Sequence, residues 1–186
     1  EDQTTYEIGH FLQLATKCNP TILEVFKAPM LDINPEVNEF AQKLKDLFPH
    51  CWNPHDTFNA FTGYGLNQRK KFLDKKDKRG PKYAVVYIRT LYNLIDLLQT
   101  GTFDLEVKDA IEKIQLQAIK KDEWSDGQVI DLANKLTIKA RHTKEACTHK
   151  PDLDKVNDFL LETRRLFWSG EPDWVSIKRA EHGICA

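Results

Sequence analysis

Apolar residues recur along most of this chain at three- and four-residue steps, the period of amphipathic helices packed on one face. The strongest case is GPKYAVVYIRTLYNLIDLLQTG, Gly80 to Gly101. Gly80 breaks what precedes it, Pro81 suits a first helical position, and Gly101 suits a helix end. Tyr83, Tyr87, Leu91, Leu94 and Leu98 form one stripe, which Ala84, Ile88, Ile95 and Leu97 widen. A helix this apolar around its circumference is covered by neighbours, so it is expected at the centre of the fold. Lys82, Arg89 and Asp96 are seven residues apart and share one narrow line. Cations on an otherwise buried helix need a partner, either a carboxylate of the fold or an anionic ligand.

Around it the pattern predicts helices over Ile8 to Lys17, Thr21 to Ala28, a segment opened by Asn34-Pro35 to Phe48, and one opened by Asn53-Pro54 to Lys76. Asn before Pro places a capping side chain ahead of a residue that tolerates the first turn. Further helices are predicted over Leu105 to Lys121, with Val107, Ala110, Ile111, Ile114 and Ala118 inward, and over Asp126 to Ala146 behind the cap Ser125. A last helix runs from Pro151-Asp152 to Trp168 on the stripe Leu153, Val156, Leu160 and Phe167; the tail from Ser169 reads as irregular. Glu1 to Glu7 alternates β-branched and aromatic residues, which predicts a short strand with Asp2, Thr4 and Tyr6 on one side. A lone strand is not a stable sheet, so its partners are expected outside this chain. The fold class is mainly α, a multi-helix domain with one N-terminal strand.

Composition narrows the function classes. The 186 residues carry a net charge of −1, so nucleic-acid binding would have to be local. No apolar run is long enough to span a membrane, no signal-peptide pattern is visible, and the four cysteines form no CxxC; a reduced cytoplasmic protein is expected. Local charge is found in RKKFLDKKDKRGPK, Arg69 to Lys82, with eight cations against two aspartates. Arg69, Lys70, Lys71, Lys75, Lys76, Lys78 and Arg79 form either a nucleic-acid or polyphosphate surface with Lys82 and Arg89, or a solvated helix end. His50, Cys51 and His55 match no zinc spacing, and no GxSxG, Walker or GxGxxG loop is present. Gly63-Tyr64-Gly65 reads as close helix packing more than as a phosphate cradle. Glu24 lies among apolar residues and needs a cation, for which Arg89 is a candidate; a metal-binding carboxylate is the sharper alternative for Asp2.

Four stretches together resemble a known family. FLQLATKCNPTILEVF, KYAVVYIRTLYNLIDLLQTG, IKKDEW and PDLDKVNDFLLETR occur in that order. They are similar to nucleotidyltransferases of the DNA polymerase β superfamily, in the RNA-ligase-associated, RlaP-like group of bacteria and phages. The resemblance covers most of residues 4 to 165 and implies a small sheet carrying a G-S motif and a paired D-x-D, followed by a helical region. This chain contains no G-S…D-x-D, Leu31-Asp32-Ile33 lacks its context, and Val86 stands where the family helix often has histidine. It implies residues 1–30 as the edge of the nucleotidyltransferase core, 31–168 as a helical domain and 169–186 as a tail.

Such enzymes transfer a nucleoside monophosphate from an NTP to an acceptor, with Mg²⁺ clamping the reacting oxygens. The resemblance implies Asp2 as a metal and catalytic carboxylate with Glu7 second. It implies Gln68, Arg69, Lys82 and Arg89 around the triphosphate, and Asn19 and Glu24 as further site residues. Without the aspartate pair, either the chain is part of a longer enzyme or it has kept binding and lost catalysis. The alternative is a non-catalytic helical module that binds nucleic acid or a protein through residues 69–82.

Overall fold

The computed structural model describes residues 4–29, 38–74, 76 and 78–168. Among these residues the chain forms eight α-helices and one 3-10 turn, with no strand. The helices are α1 (Ile8–Thr16), α2 (Pro20–Lys27), α3 (Asn38–Asp46), α4 (Pro54–Leu73), α5 (Gly80–Thr100), α6 (Ala110–Lys120), α7 (Asp126–Ala146) and α8 (Leu153–Trp168); the 3-10 turn is Phe48–His50.

Helix α5 is the centre, packed against α4, α6 and α7. Ala84, Ile88, Leu91, Leu94, Ile95, Leu97 and Leu98 are all buried, as the two-sided stripe requires. Gly101 stops the helix in the left-handed region at φ 80, its N–H donating to the Leu97 carbonyl at 2.9 Å. Helices α4 and α5 form an antiparallel hairpin: Gly65 faces Tyr87, Lys71 faces Tyr83, and the Phe72 carbonyl lies beside Gly80. Gly65 is the point of closest approach, since a Cβ there would sit 3.0 Å from the Tyr87 ring. The Gly63-Tyr64-Gly65 segment is thus helical, with Gly65 serving interhelical packing.

Capping explains most of the helix starts. Asn19 accepts from the Ile22 amide at 3.3 Å and Asn53 from the Asp56 amide at 2.9 Å, each ahead of a proline. Ser125 and Gln128 form a reciprocal capping box at the head of α7. Trp52 is fully buried and stacks on His149 at 3.8 Å between ring centroids; the imidazole Nε2–H donates to the Pro49 carbonyl at 2.9 Å. This contact ties the start of α8 to the turn before α4, so the His50–His55 segment is core and connection; among the described residues no metal-binding cluster forms.

Three expectations are corrected. Residues 4–7 form no strand: with no neighbouring strand to pair with, Glu7 instead caps α1, accepting from the His10 amide at 2.8 Å. Residues 1–3, and the Asn34-Pro35 start expected for α3, lie outside the described residues. Helix α6 begins only at Ala110, because the Asp109 carboxylate accepts from the Ile111 and Glu112 amides. Its inward face is Leu116 and Ile119, while Ile111 and Ile114 are 67% and 65% exposed. In α8, Val156 is buried and Leu160 packs partly buried against the core as expected, but Phe159 is buried and Leu153, expected inward, is exposed.

Replacing Gly65 and Gly63 tests the hairpin packing. Gly65→Val is expected to lower unfolding free energy by about 2 kcal/mol through overpacking against Tyr87. Gly63→Ala, with open space around its Cα, is expected to raise it by up to about 1 kcal/mol through helix propensity. Urea denaturation midpoints of both variants read the difference; equal effects would place the close approach elsewhere.

Candidate functional site

The polar line along α5 divides into two environments. Arg89 turns toward α2, where its Nη2 lies 3.2 Å from Glu24 Oε1. Asn93, one helical turn further and 5% exposed, donates to the same carboxylate oxygen at 3.4 Å. Asn19 caps α2 and so sets the axis on which Glu24 is carried. A half-buried carboxylate among Ile22, Leu23 and Phe26 therefore receives a cation and an amide at once.

Beside this pair is a recess of about 210 Å³ lined by Arg89, Tyr92, Asn93, Asp96, Asp104 and Glu112 together with the 106–109 connection. Its carboxylates are incompletely neutralised. Asp104 is held by Lys108 at 2.6 Å, which lowers its pKa. Burial pushes the Asp96 carboxyl above its usual range; Lys139 opposes this, and Asp104 and Asp109 reinforce it. Burial likewise raises Glu112, with Asp96 and Asp109 adding repulsion. The Tyr92 hydroxyl, which donates to Gln115, is pushed up to about 12 by burial and the neighbouring Glu112 and Asp109.

Lys82 does not line this recess. It is exposed in the first turn of α5, about 10 Å along the axis from Arg89. It belongs to the far end of the α4–α5 hairpin, where the cations gather. Lys71 Nζ and Arg79 Cζ each lie 5.5 Å from the centroid of the Tyr83 ring. Burial raises the Tyr87 hydroxyl, and the nearby Arg69 guanidinium lowers it in part. Gln68 is 8% exposed on the stripe of α4 that carries Phe61, Gly65 and Phe72, between the two helices. Lys70, Lys71, Lys76, Lys78 and Arg79 are exposed; Lys75 lies outside the described residues.

The structure thus pairs Glu24 with Arg89, leaves Asn19 as the cap of the helix that carries Glu24, and places Gln68, Arg69, Lys71, Arg79 and Lys82 along the facing ends of α4 and α5. Asp2 lies outside the described residues. Glu7 is exposed and engaged: its carboxylate accepts from the backbone at Gly9 and His10, with Arg164 at 3.9 Å, and these lower its pKa. Asn93, Asp96, Glu112 and Tyr83 were not among the residues singled out for the site. Asn93 was legible as the residue four beyond Arg89 on a helix face; the others depend on which neighbour covers each face.

The recess predicts a pH dependence. Asp96 and Glu112 have folded-state pKa values above their unfolded ones, so their contribution to stability is present at low pH and is lost as pH rises through the folded values. Asp96→Asn is expected to raise stability near pH 7 by at most about 1 kcal/mol, because solvent screens the open recess. It is expected to change little near pH 4.5. Thermal melts at both pH values check this; a similar loss at both would mean that the carboxylate makes a structural contact. Glu24→Gln, which leaves Arg89 without its counter-charge, is expected to cost about 1 kcal/mol near pH 7 in the same melts.

No curated protein and no solved structure matches this chain. One family model does: RlaP, described as the RNA repair pathway DNA polymerase beta family, over residues 2–166. That span takes in all four motifs and every helix apart from the last residues of α8. The two polar centres on α5 therefore belong to the matched region, and the chain is a member of the RNA repair pathway DNA polymerase beta family.

Proposed function

We propose that this chain supplies the nucleotide-handling helical part of a nucleotidyltransferase, which moves a nucleoside monophosphate from an NTP to an acceptor. The observation that carries the reading is the family match over nearly the whole described length, which suggests a polymerase-beta-like nucleotidyltransferase. The arrangement of α5 supports it. Lys82 stands exposed in the first turn of α5 and Arg69 lies toward the end of the facing helix α4, cations of the kind a triphosphate would call for.

In this reading Arg89 has a different role from Lys82. Its guanidinium is held by Glu24, so it orients α2 against α5. Glu24 and Asn93 fix that orientation, which is a positioning role. Family enzymes draw on Mg²⁺, but the described residues do not fit a Mg²⁺ site: no group of three or more His, Cys, Asp or Glu side chains among them is arranged to hold a metal ion, and Glu7 is committed to capping and Arg164.

Binding of a fluorescent NTP analogue, with and without Mg²⁺, by a protein containing this chain tests the reading. Lys82→Ala is expected to weaken binding about tenfold without changing the melting temperature. Arg89→Ala is expected to weaken binding and also to lower the melting temperature, because Glu24 is left unpaired. Unchanged affinity in both variants, or no NTP binding by the wild type, would rule the assignment out.

A further inference from the structure

We propose that the seam between α5 and α6 is a nucleoside subsite, shaped for a purine base that carries an exocyclic amino group, as adenine does. The proposal rests on the nucleotidyl-transfer reading for the ligand being an NTP, and deepens it by naming the base. Helix order builds the seam. Asp109 and Glu112, at the start of α6, border the recess beside Arg89 and Asp96, whereas Lys113, Leu116, Gln117 and Lys120 border a second groove beside Val85. Helix α6 therefore runs antiparallel to α5. The second groove holds about 290 Å³, near the lower end of the range for small-molecule sites. Glu106 and Val107 line both hollows, so the two adjoin there.

Three stretches of different chemistry follow one another along this seam. The outer stretch is cationic. Lys113 and Lys120 are exposed, and neither side chain has a hydrogen bond or an ion pair with another described residue. Lys82 lies one turn before Val85 on the same side of α5, which puts it at the end of the seam that Lys120 marks. The middle stretch is apolar: Val85 and Val107 are half-buried and Leu116 is buried against the core. The inner stretch is acidic, with Glu106 at its border and Glu112 and Asp96 beyond. Lys108, the cation beside Glu106, is already bonded to Asp104 at 2.6 Å.

A nucleotide presents the same order of chemistry: anionic phosphates, an apolar base face and a polar base edge. With its phosphates at Lys82 and Lys120, the base lies over Val85 and Leu116 and its edge meets Glu106. A carboxylate accepts and does not donate, so it takes the N–H of an exocyclic amine and repels a ring carbonyl. Three apolar side chains in a row cover more of a purine than of a pyrimidine. An acidic peptide would meet Glu106 with like charge, and an acyl chain would leave Glu106 without a role.

The test is competition by ATP, inosine triphosphate and inorganic tripolyphosphate against a ribose-labelled fluorescent ATP analogue, on a protein containing this chain. ATP is expected to bind about fivefold more tightly than inosine triphosphate, in which a carbonyl replaces the amine. Glu106→Gln, which adds an amide donor, is expected to remove that preference. Val85→Asn is expected to weaken ATP about fivefold and to leave tripolyphosphate unchanged. Lys113→Ala with Lys120→Ala is expected to weaken ATP and tripolyphosphate alike, by about tenfold, with a shallower dependence on salt. Melting temperatures show that each variant is folded, and the comparison of ATP with inosine triphosphate on the wild type needs no variant. Equal affinity for those two nucleotides, or a folded Val85→Asn variant with unchanged ATP affinity, would overturn the subsite. NTP binding that is lost in Lys82→Ala but indifferent to the base and to Val85→Asn refutes the subsite alone and leaves the nucleotidyl-transfer reading standing. Absence of NTP binding by the wild type refutes both.

Discussion

Burial of α5 on nearly every side is the constraint that organises this molecule. Eleven of its residues are buried, from Ala84 to Leu98, and each buried face requires a covering element. Helix α4 covers one face through Gly65, α7 another, and α6 a third through Leu116 and Ile119. Removing apolar area of this size from water is the dominant favourable term, and it leaves little freedom in where the flanking helices lie. Polar residues on such a helix are then confined to the seams where covering elements end. Arg89 and Asn93 lie at the seam with α2, Asp96 at the seam with α6, and Lys82 at the open end.

Those seams explain why charge of opposite sign collects on one helix without cancelling. At the α2 seam a cation and an amide satisfy Glu24, so the local balance is near neutral. At the α6 seam several carboxylates are drawn together by caps and turns, and burial drives Asp96 and Glu112 toward their protonated forms. At the open end Asp74 is the one described carboxylate among the cations from Arg69 to Lys82. The hairpin thus carries a positive field at its tip and a carboxylate-rich pocket near its middle. An anionic nucleotide or strand would be drawn to the tip and repelled from the pocket.

Much of this was legible in the residues themselves. Asn19, Asn53 and Ser125 announced the helices they cap, because a cap is a contact between near neighbours. The pairing of Glu24 with Arg89 followed from the cost of a lone charge among apolar residues. Other features were not legible for physical reasons. Asp109 takes over the start of α6, a choice that periodicity does not register. The inward face of α6 fell on Leu116 and Ile119 although Ile111 and Ile114 have the same chemistry, since a helix packed on one side buries whichever stripe its neighbour reaches. Alternation in residues 4–7 resembled a strand, but alternation alone supplies no partner for its backbone groups.

By itself the sequence determined the helical class, the central position of α5, most of the caps and membership of a nucleotidyltransferase-related family, because these rest on local periodicity, neighbouring side chains and ordered motifs. Tertiary structure alone decided that the Lys82, Arg89 and Asp96 line splits into separate environments. It also decided that Trp52 closes on His149 across the chain, and that two cations flank Tyr83. Each of these depends on distances between elements remote in sequence, which are set by how the buried faces of the helices come to fit.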